Sequence, residues 1–208
     1  MRTTPLIRIV DDDEGLAESF QLLLHAMGWE ARLWTDGQAF LAEDDLEGPG
    51  CILLDVRMPG LTGLEVQAAL EAKGSNLPII FLSAHGNIAI AVQALKHGAD
   101  DFLEKPVEPL MLLQRVSAAV TRSTAAAEQA RAQTEGLERF ARLTGREKEI
   151  VDEVLHQNAN KDISRHLGIE VSTVKMHRAN AFAKLGVRSP AELIELAYRT
   201  GYAQKESS

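Results

Sequence analysis

Five residues near the start of the chain and up to position 105 carry side chains that together suit one piece of chemistry: Asp11, Asp12, Asp55, Ser83 and Lys105. Clustered carboxylates repel one another and call for a cation. An all-oxygen donor set, without Cys or His, favours Mg2+ or Mn2+, which keep waters and accept one or two carboxylates beside a phosphate. Lys105 offers a point charge for a phosphoryl or carboxylate oxygen, and Ser83 a small hydroxyl donor. A nucleophilic carboxylate, a metal that neutralises charge and donors for the transferred group are the parts needed to phosphorylate an aspartate. Taken singly, each residue has an ordinary reading. Asp11-Asp12-Asp13 suits a helix N-terminus, where carboxylates meet the positive end of the dipole. Lys105 before Pro106 is an everyday surface lysine, and Ser83 alone carries no message.

What joins them is the set of elements that must hold them. LIRIV (6–10), EARLW (30–34), CILLD (51–55), PIIFLS (78–83) and DFLE (101–104) read as strands. Helical patterns lie between them. Leu16, Phe20, Leu23, Leu24 and Met27 mark one face, ended by Gly28, and Asp36 caps a short helix with Phe40 and Leu41. Residues 64–72, 88–97 and 108 to about 127 complete the series. Such alternation implies a doubly wound, five-stranded parallel sheet covered on both faces, which is why the strands show no polar side. Ligands of such sheets sit beyond the carboxyl ends of the strands. Those ends are Asp11-Asp12, Asp55, Ser83 and Glu104-Lys105. In CILLDVRMPG the buried strand holds Asp55 rigidly at the sheet edge, and Met58-Pro59-Gly60 turns the chain over the site.

Composition divides the chain. The net charge of −8 is uneven: residues 1–125 hold nine basic against eighteen acidic residues, residues 126–208 thirteen against twelve, and residues 160–188 six against two. An acidic half and a locally basic patch imply two domains with different partners. No run approaches 18 apolar residues, so neither a signal peptide nor a membrane span is expected. The single cysteine, Cys51, is expected to be a core residue in a reducing cytoplasm. Residues 121–138 are rich in Ala, Glu, Gln and Arg and read as an exposed helical linker that extends the fifth helix.

The last third has no strand pattern. LTGREKEIVDEVL offers Thr144 and Glu147 as a capping box, followed by Ile150, Val151 and Val154 on one face. A helix over 161–167 is broken at Gly168-Ile169, and a second begins near Ser172. In it Val174, Ala181 and Leu185 point to a core while Lys175, His177, Arg178 and Lys184 lie largely outward. Two short helices joined by a Gly-containing turn, the second basic, form a helix-turn-helix pattern. On charge alone the patch reads as a solvated face. The last helix, from Pro190 to about Tyr202, carries Leu193, Ile194, Leu196, Ala197 and Tyr198, best read singly as core.

The segments IVDDDE, CILLDVRMPGLTGLE, PIIFLSAHG and DFLEKP, in that order and spacing, resemble the receiver domain of two-component response regulators over residues 4–122. The resemblance implies that Asp55 is the phosphoacceptor and Asp12 the direct metal ligand. Asp11 is then its acidic neighbour, acting through water, and the Arg57 backbone carbonyl completes the protein ligands; Asp13 falls outside, at the helix start. Ser83 takes the switch hydroxyl position and Phe102 that of the aromatic that turns inward with it, although by sequence alone Phe102 reads as core. Thr and Tyr are common at those two positions, so the switch here uses different side chains. Arg57 and His85 occupy variable positions that tune phosphoryl lifetime, and the Lys105–Pro106 bond is expected to be cis.

LTGREKEI, NKDI, LGI, STVKMHR and KLGVRS resemble the LuxR-type DNA-binding domain from residue 143 to about 200. By that resemblance Lys175, Met176 and Ala179 face bases, with Ser172 and Thr173 beside them, and Lys161, His177, Arg178 and Lys184 are candidate phosphate contacts. Apolar Met176 and small Ala179 suit thymine methyls better than bidentate guanine readout. Ser164 and the HQNAN loop depart from the more common alanine and glycine. Motif order resembles the FixJ-like branch. Expected, then, are a phosphoacceptor domain (1–122), a helical linker (123–142) and a DNA-binding domain (143–208). The implied protein is a cytoplasmic, non-enzymatic transcription factor with no membrane partner. A sensor histidine kinase phosphorylates it with Mg2+ bound, and it then dimerises through a face that includes Val92, Lys96 and Asp101. It would bind double-stranded promoter DNA, with RNA polymerase a further candidate partner. Two other classes stay open on the residues. An aspartyl-phosphate phosphatase would use a strand-end Asp and Mg2+ but wants a second Asp where Arg57 stands. A pure interaction module would leave Asp55 unmodified.

Overall fold

Successive side chains of a strand point to opposite faces of its sheet, and here both faces carry buried apolar side chains, although the strand at 30–34 leaves Glu30 and Arg32 exposed. The computed structural model describes residues 4–44, 46–84 and 88–202. Strands β1 (Leu6–Val10), β2 (Glu30–Trp34), β3 (Gly50–Asp55), β4 (Ile79–Ser83) and β5 (Asp101–Glu104) form one parallel sheet in the order β2-β1-β3-β4-β5. Helices α1 (Glu14–Ala26), α2 (Gly37–Glu43), α3 (Gly63–Ala72), α4 (Ile88–Lys96) and α5 (Pro109–Ala141) connect and follow them.

Ile7, Ile9, Cys51, Leu53, Ile80 and Leu82 pack on one face against Phe20 and Leu24 of α1 and Leu112 and Val116 of α5. Val10, Ile52, Leu54 and Phe81 pack on the other against Phe40 of α2, Val66 and Leu70 of α3 and Ala94 of α4. Burial pushes the Cys51 thiol up to about 12, so it is a protonated core group.

Two sequence expectations need correction. Met27 does not join the buried face of α1: it is the C-cap, past the last helical turn, and is 56% exposed. Strand β1 is not wholly apolar in chemistry, because Arg8 is fully buried and its Nε donates to Asp44 Oδ1 at 2.9 Å. The fifth helix continues to Ala141 and is exposed over most of 121–138, as its composition predicts, while Phe140 beyond that stretch is buried and stacked on Tyr202 with ring centroids 3.9 Å apart.

The chain divides into two compact units, Met1–Ala127 and Glu128–Ser208. The second contains α6 (Gly145–Leu155), α7 (Asn160–Leu167), α8 (Val171–Leu185) and α9 (Pro190–Thr200). Phe140, Ile150, Val151, Ile163, Val174, Ala181, Leu185, Leu193 and Leu196 form its core. Ile194 and Tyr198 of α9 stay outside it, 40% and 80% exposed. The Thr144–Glu147 capping box starts α6.

Between α7 and α8 the chain turns at Gly168, which has φ +63°, and Ser164 Oγ donates to Ile169 O across the turn at 2.5 Å. The serine that departs from the commoner alanine thus ties the two helices' junction. Ser164→Ala should cost this unit about 1 kcal/mol, measured by urea unfolding followed by helical circular dichroism. Unchanged or raised stability would show that this hydroxyl contributes nothing.

Candidate functional site

The parallel register decides which residues meet. Val10 pairs with Leu54 and Asp55 with Leu82, so Asp11, Asp55 and Ser83 reach the same edge of the sheet. Asp55 is the last residue of β3, and Lys105 follows β5, its backbone N–H donating to Ser83 O at 2.7 Å. The Lys105–Pro106 bond is cis. Lys105 Nζ lies 2.6 Å from both Asp11 Oδ2 and Asp55 Oδ1. The other oxygen of Asp55 accepts from the Arg57 backbone N–H at 2.6 Å, and Asp11 Oδ1 accepts from Asp13 N–H at 3.0 Å. Asp13 itself caps α1.

Burial distinguishes these groups. Asp11, Asp55 and Ser83 are buried while Asp12 and Arg57 are exposed. Burial pushes the Asp11 carboxyl up, against the lowering effect of its Lys105 hydrogen bond. Burial also works against the Lys105 charge, but the hydrogen bonds and charges of Asp11 and Asp55 more than offset it and hold its pKa above the usual lysine value. All these residues line one cavity of about 230 Å³. Among the described residues no group of three His, Cys, Asp or Glu side chains is arranged to hold a metal alone. Mg2+ does not need one, because it keeps several waters. The hard oxygens of Asp11, Asp12 and Asp55 around a cavity of this size fit a hydrated Mg2+ beside a phosphoryl group.

Phe102 on β5 is half-buried, its ring 6.3 Å from that of Phe81. On α4, Val92 is 45% exposed and Lys96 is exposed, while Asp101 is paired with Arg115 Nε at 3.0 Å. His85 lies outside the described residues.

In the second unit Lys161, Ser172, Lys175, Met176 and Ala179 are exposed, and Thr173 and His177 are half-buried. Met176, 52% exposed on a polar helix, is available for apolar contact. Two cations point outward, as their spacing predicts, yet meet partners that sequence reading missed. Arg178 Nη1 donates to Asn160 Oδ1 at 2.8 Å, and Lys184 Nζ to Glu147 Oε2 at 2.6 Å. Only the NKDI and capping-box motifs flagged those partners, and for other reasons. Lys184, and then the Thr144 N–H, hold the Glu147 carboxyl below the ordinary glutamate range. A glutamate lowered in the fold contributes stability that is present above its unfolded pKa and lost as pH falls through the folded value. Acidification below the ordinary glutamate range should therefore weaken this unit. Glu147→Gln should flatten that acid limb in pH-dependent thermal unfolding; an unaltered limb would contradict the assignment.

Residues 7–117 match the response regulator receiver domain family, and residues 141–197 match the LuxR family of bacterial regulatory proteins. The transcriptional regulatory protein FixJ of Azorhizobium caulinodans is 36% identical over 97% of this chain and 96% of its own. The tetrathionate response regulatory protein TtrR of Salmonella typhimurium is 38% identical over 90% of this chain and 89% of its own. Among solved structures, the response regulator StyR superposes with a TM-score of 0.88 at 37% identity, covering 94% of this chain and 99% of that one. Full-length FixJ from B. japonicum gives 0.58 at 35% identity, covering 97% and 99%. FixJ is a transcriptional regulatory protein and the others are response regulators, which removes the phosphatase alternative. A receiver implies a kinase partner and a LuxR-type domain implies DNA, while no helix among the described residues is long and apolar enough to cross a membrane. With a receiver sheet first and a LuxR-type helix-turn-helix after it, the chain belongs to the FixJ-like two-component response regulators and is a DNA-binding transcriptional regulator.

Proposed function

We propose that Asp55 accepts a phosphoryl group from the phosphohistidine of a partner sensor kinase, and that this acyl phosphate switches DNA binding in the cytoplasm. The P–N bond of the donor breaks as a P–O bond to the Asp55 carboxylate forms. Asp11, Asp12, Asp55 and the Arg57 carbonyl would hold Mg2+, or Mn2+, which when bound would neutralise charge on the transferred group. Lys105 holds Asp55 in place and meets a phosphoryl oxygen as its Asp55 contact loosens. The Ser83 hydroxyl donates to another, and Phe102 follows it inward. The face containing Val92, Lys96 and Asp101 then pairs two chains, setting two helix-turn-helix units on half-sites about one helical turn apart. Residues 1–122 act as phosphoacceptor domain, 123–142 as the joining helix and 143–208 as the DNA-binding domain. Lys161, Ser172, Thr173, Lys175, Met176, His177 and Ala179 form its DNA face, with RNA polymerase a further partner at the promoter.

The observation that supports this most is the single Lys105 Nζ at 2.6 Å from the carboxylates of two strand ends, a nucleophile held ready beside a cation. The test is acetyl phosphate with and without Mg2+, read by intact mass. One phosphoryl group is expected only with Mg2+, and borohydride reduction should convert Asp55 to homoserine. No uptake, or reduction at another residue, would sink the reading in favour of an interaction module.

A further inference from the structure

We propose that Arg178 and Lys184 are positioning residues that fix the recognition helix α8, not phosphate contacts. The inference rests on the reading of α8 as the helix that meets DNA. Arg178 sits at the middle of α8, half-buried. Its Nη1 donates to Asn160 Oδ1 at 2.8 Å, and its guanidinium carbon lies 5.1 Å from the Phe182 ring centroid. Stacking and hydrogen bonding together hold the planar fork in one orientation. Asn160 is the first residue of α7, so this contact joins the start of one helix of the motif to the middle of the other.

Lys184 does the same at the far end of α8. Its Nζ lies 2.6 Å from Glu147 Oε2, and the Glu147 side chain is only 5% exposed. That same oxygen accepts from Thr144 N–H at 2.8 Å, at the start of α6. A phosphate contact by Lys184 would leave a buried carboxylate unpaired, which is costly. Two clamps thus set the tilt of α8, one to α7 and one to α6. Lys161, exposed on α7, keeps the role of phosphate contact.

Salt dependence separates the roles, because each phosphate neutralised adds about 0.9 to the slope of log affinity against log salt. The full chain, activated with beryllofluoride and Mg2+, is titrated onto mixed-sequence duplex DNA at several salt concentrations, with circular dichroism to confirm folding. Arg178→Met should bind roughly tenfold more weakly with an unchanged slope. Asn160→Ala should do likewise, and the double variant should be no worse than either single one. Glu147→Gln should reproduce Lys184→Met in the same way. Lys161→Met should instead lower the slope by about 0.9 per bound copy. The proposal is overturned by a slope that falls in Arg178→Met or Lys184→Met while Asn160→Ala and Glu147→Gln bind like wild type. A Lys161→Met slope equal to wild type would sink the reading of this helix-turn-helix as the DNA face, and the proposal with it.

Discussion

Asp44→Ala should cost the first unit about 3–5 kcal/mol, the typical penalty for removing one partner of a buried ion pair. Arg8 and Asp44 have side chains 0% and 2% exposed, joined at 2.9 Å. Two further contacts of Arg8 go to backbone: Nη1 to Leu6 O at 3.3 Å and Nη2 to Glu47 O at 3.1 Å. Asp44 Oδ1 also accepts from Leu46 N–H at 2.6 Å, where the backbone has φ +55°, so its loss frees the loop as well. Trp29 and Trp34, the only tryptophans, both lie in this unit, so fluorescence-monitored urea unfolding reads it alone. Replacing both partners with apolar residues, Arg8→Met with Asp44→Leu, should recover most of the loss. An Asp44→Ala cost below about 1 kcal/mol would mean that the pair behaves like a surface one.

Gly63→Ala should damage both stability and phosphoryl uptake. Gly63 opens α3 after the Thr62 cap, and a Cβ there would lie 2.2 Å from the Asp55 carbonyl oxygen and 3.0 Å from Phe81 Cε1. Neither neighbour is a flexible chain end, so the helix or the end of β3 must move. Overpacking of this kind costs about 1–3 kcal/mol, and a shift of about 1 Å at a reacting group can slow a reaction about 100-fold. The second unit supplies its own control. Gly145 opens α6 after Thr144 in the same way, yet nothing lies within 4 Å of its added Cβ. Gly145→Ala should leave stability and the acetyl phosphate rate near wild type. If both substitutions leave the rate alike, close packing behind Asp55 does not position it.

The sheet and its edge were legible because their signal is local and repeated. Four of the five strands end on, or one residue before, a residue able to do chemistry, the second, which ends at Trp34, being the exception, so the meeting of Asp11, Asp55, Ser83 and Lys105 follows from parallel pairing alone. What escaped depends on partners far apart in the chain. An arginine flanked by Ile7 and Ile9 gives no sign that its mate is Asp44, 36 residues on. Spacing on α8 correctly turned Arg178 and Lys184 outward, but a helical wheel gives a direction and no partner, and theirs stand 18 and 37 residues earlier. Met27 failed for a different reason: periodicity extends a face past the last turn, whereas Gly28, at φ +83°, has already ended it. The Ala-rich joining stretch hid a buried end, since Phe140 lies just beyond the part whose composition reads as exposed.

The most direct measurement is DNA affinity and sedimentation of the full chain with and without beryllofluoride plus Mg2+, on wild type and Asp55→Asn. Beryllofluoride stands in for the phosphoryl group on the aspartate. Wild type should dimerise and gain affinity only with the ligand, and Asp55→Asn, still folded, should do neither. A wild type that binds DNA equally in both states, or an Asp55→Asn chain that still responds, would contradict the assignment of Asp55 as the switch.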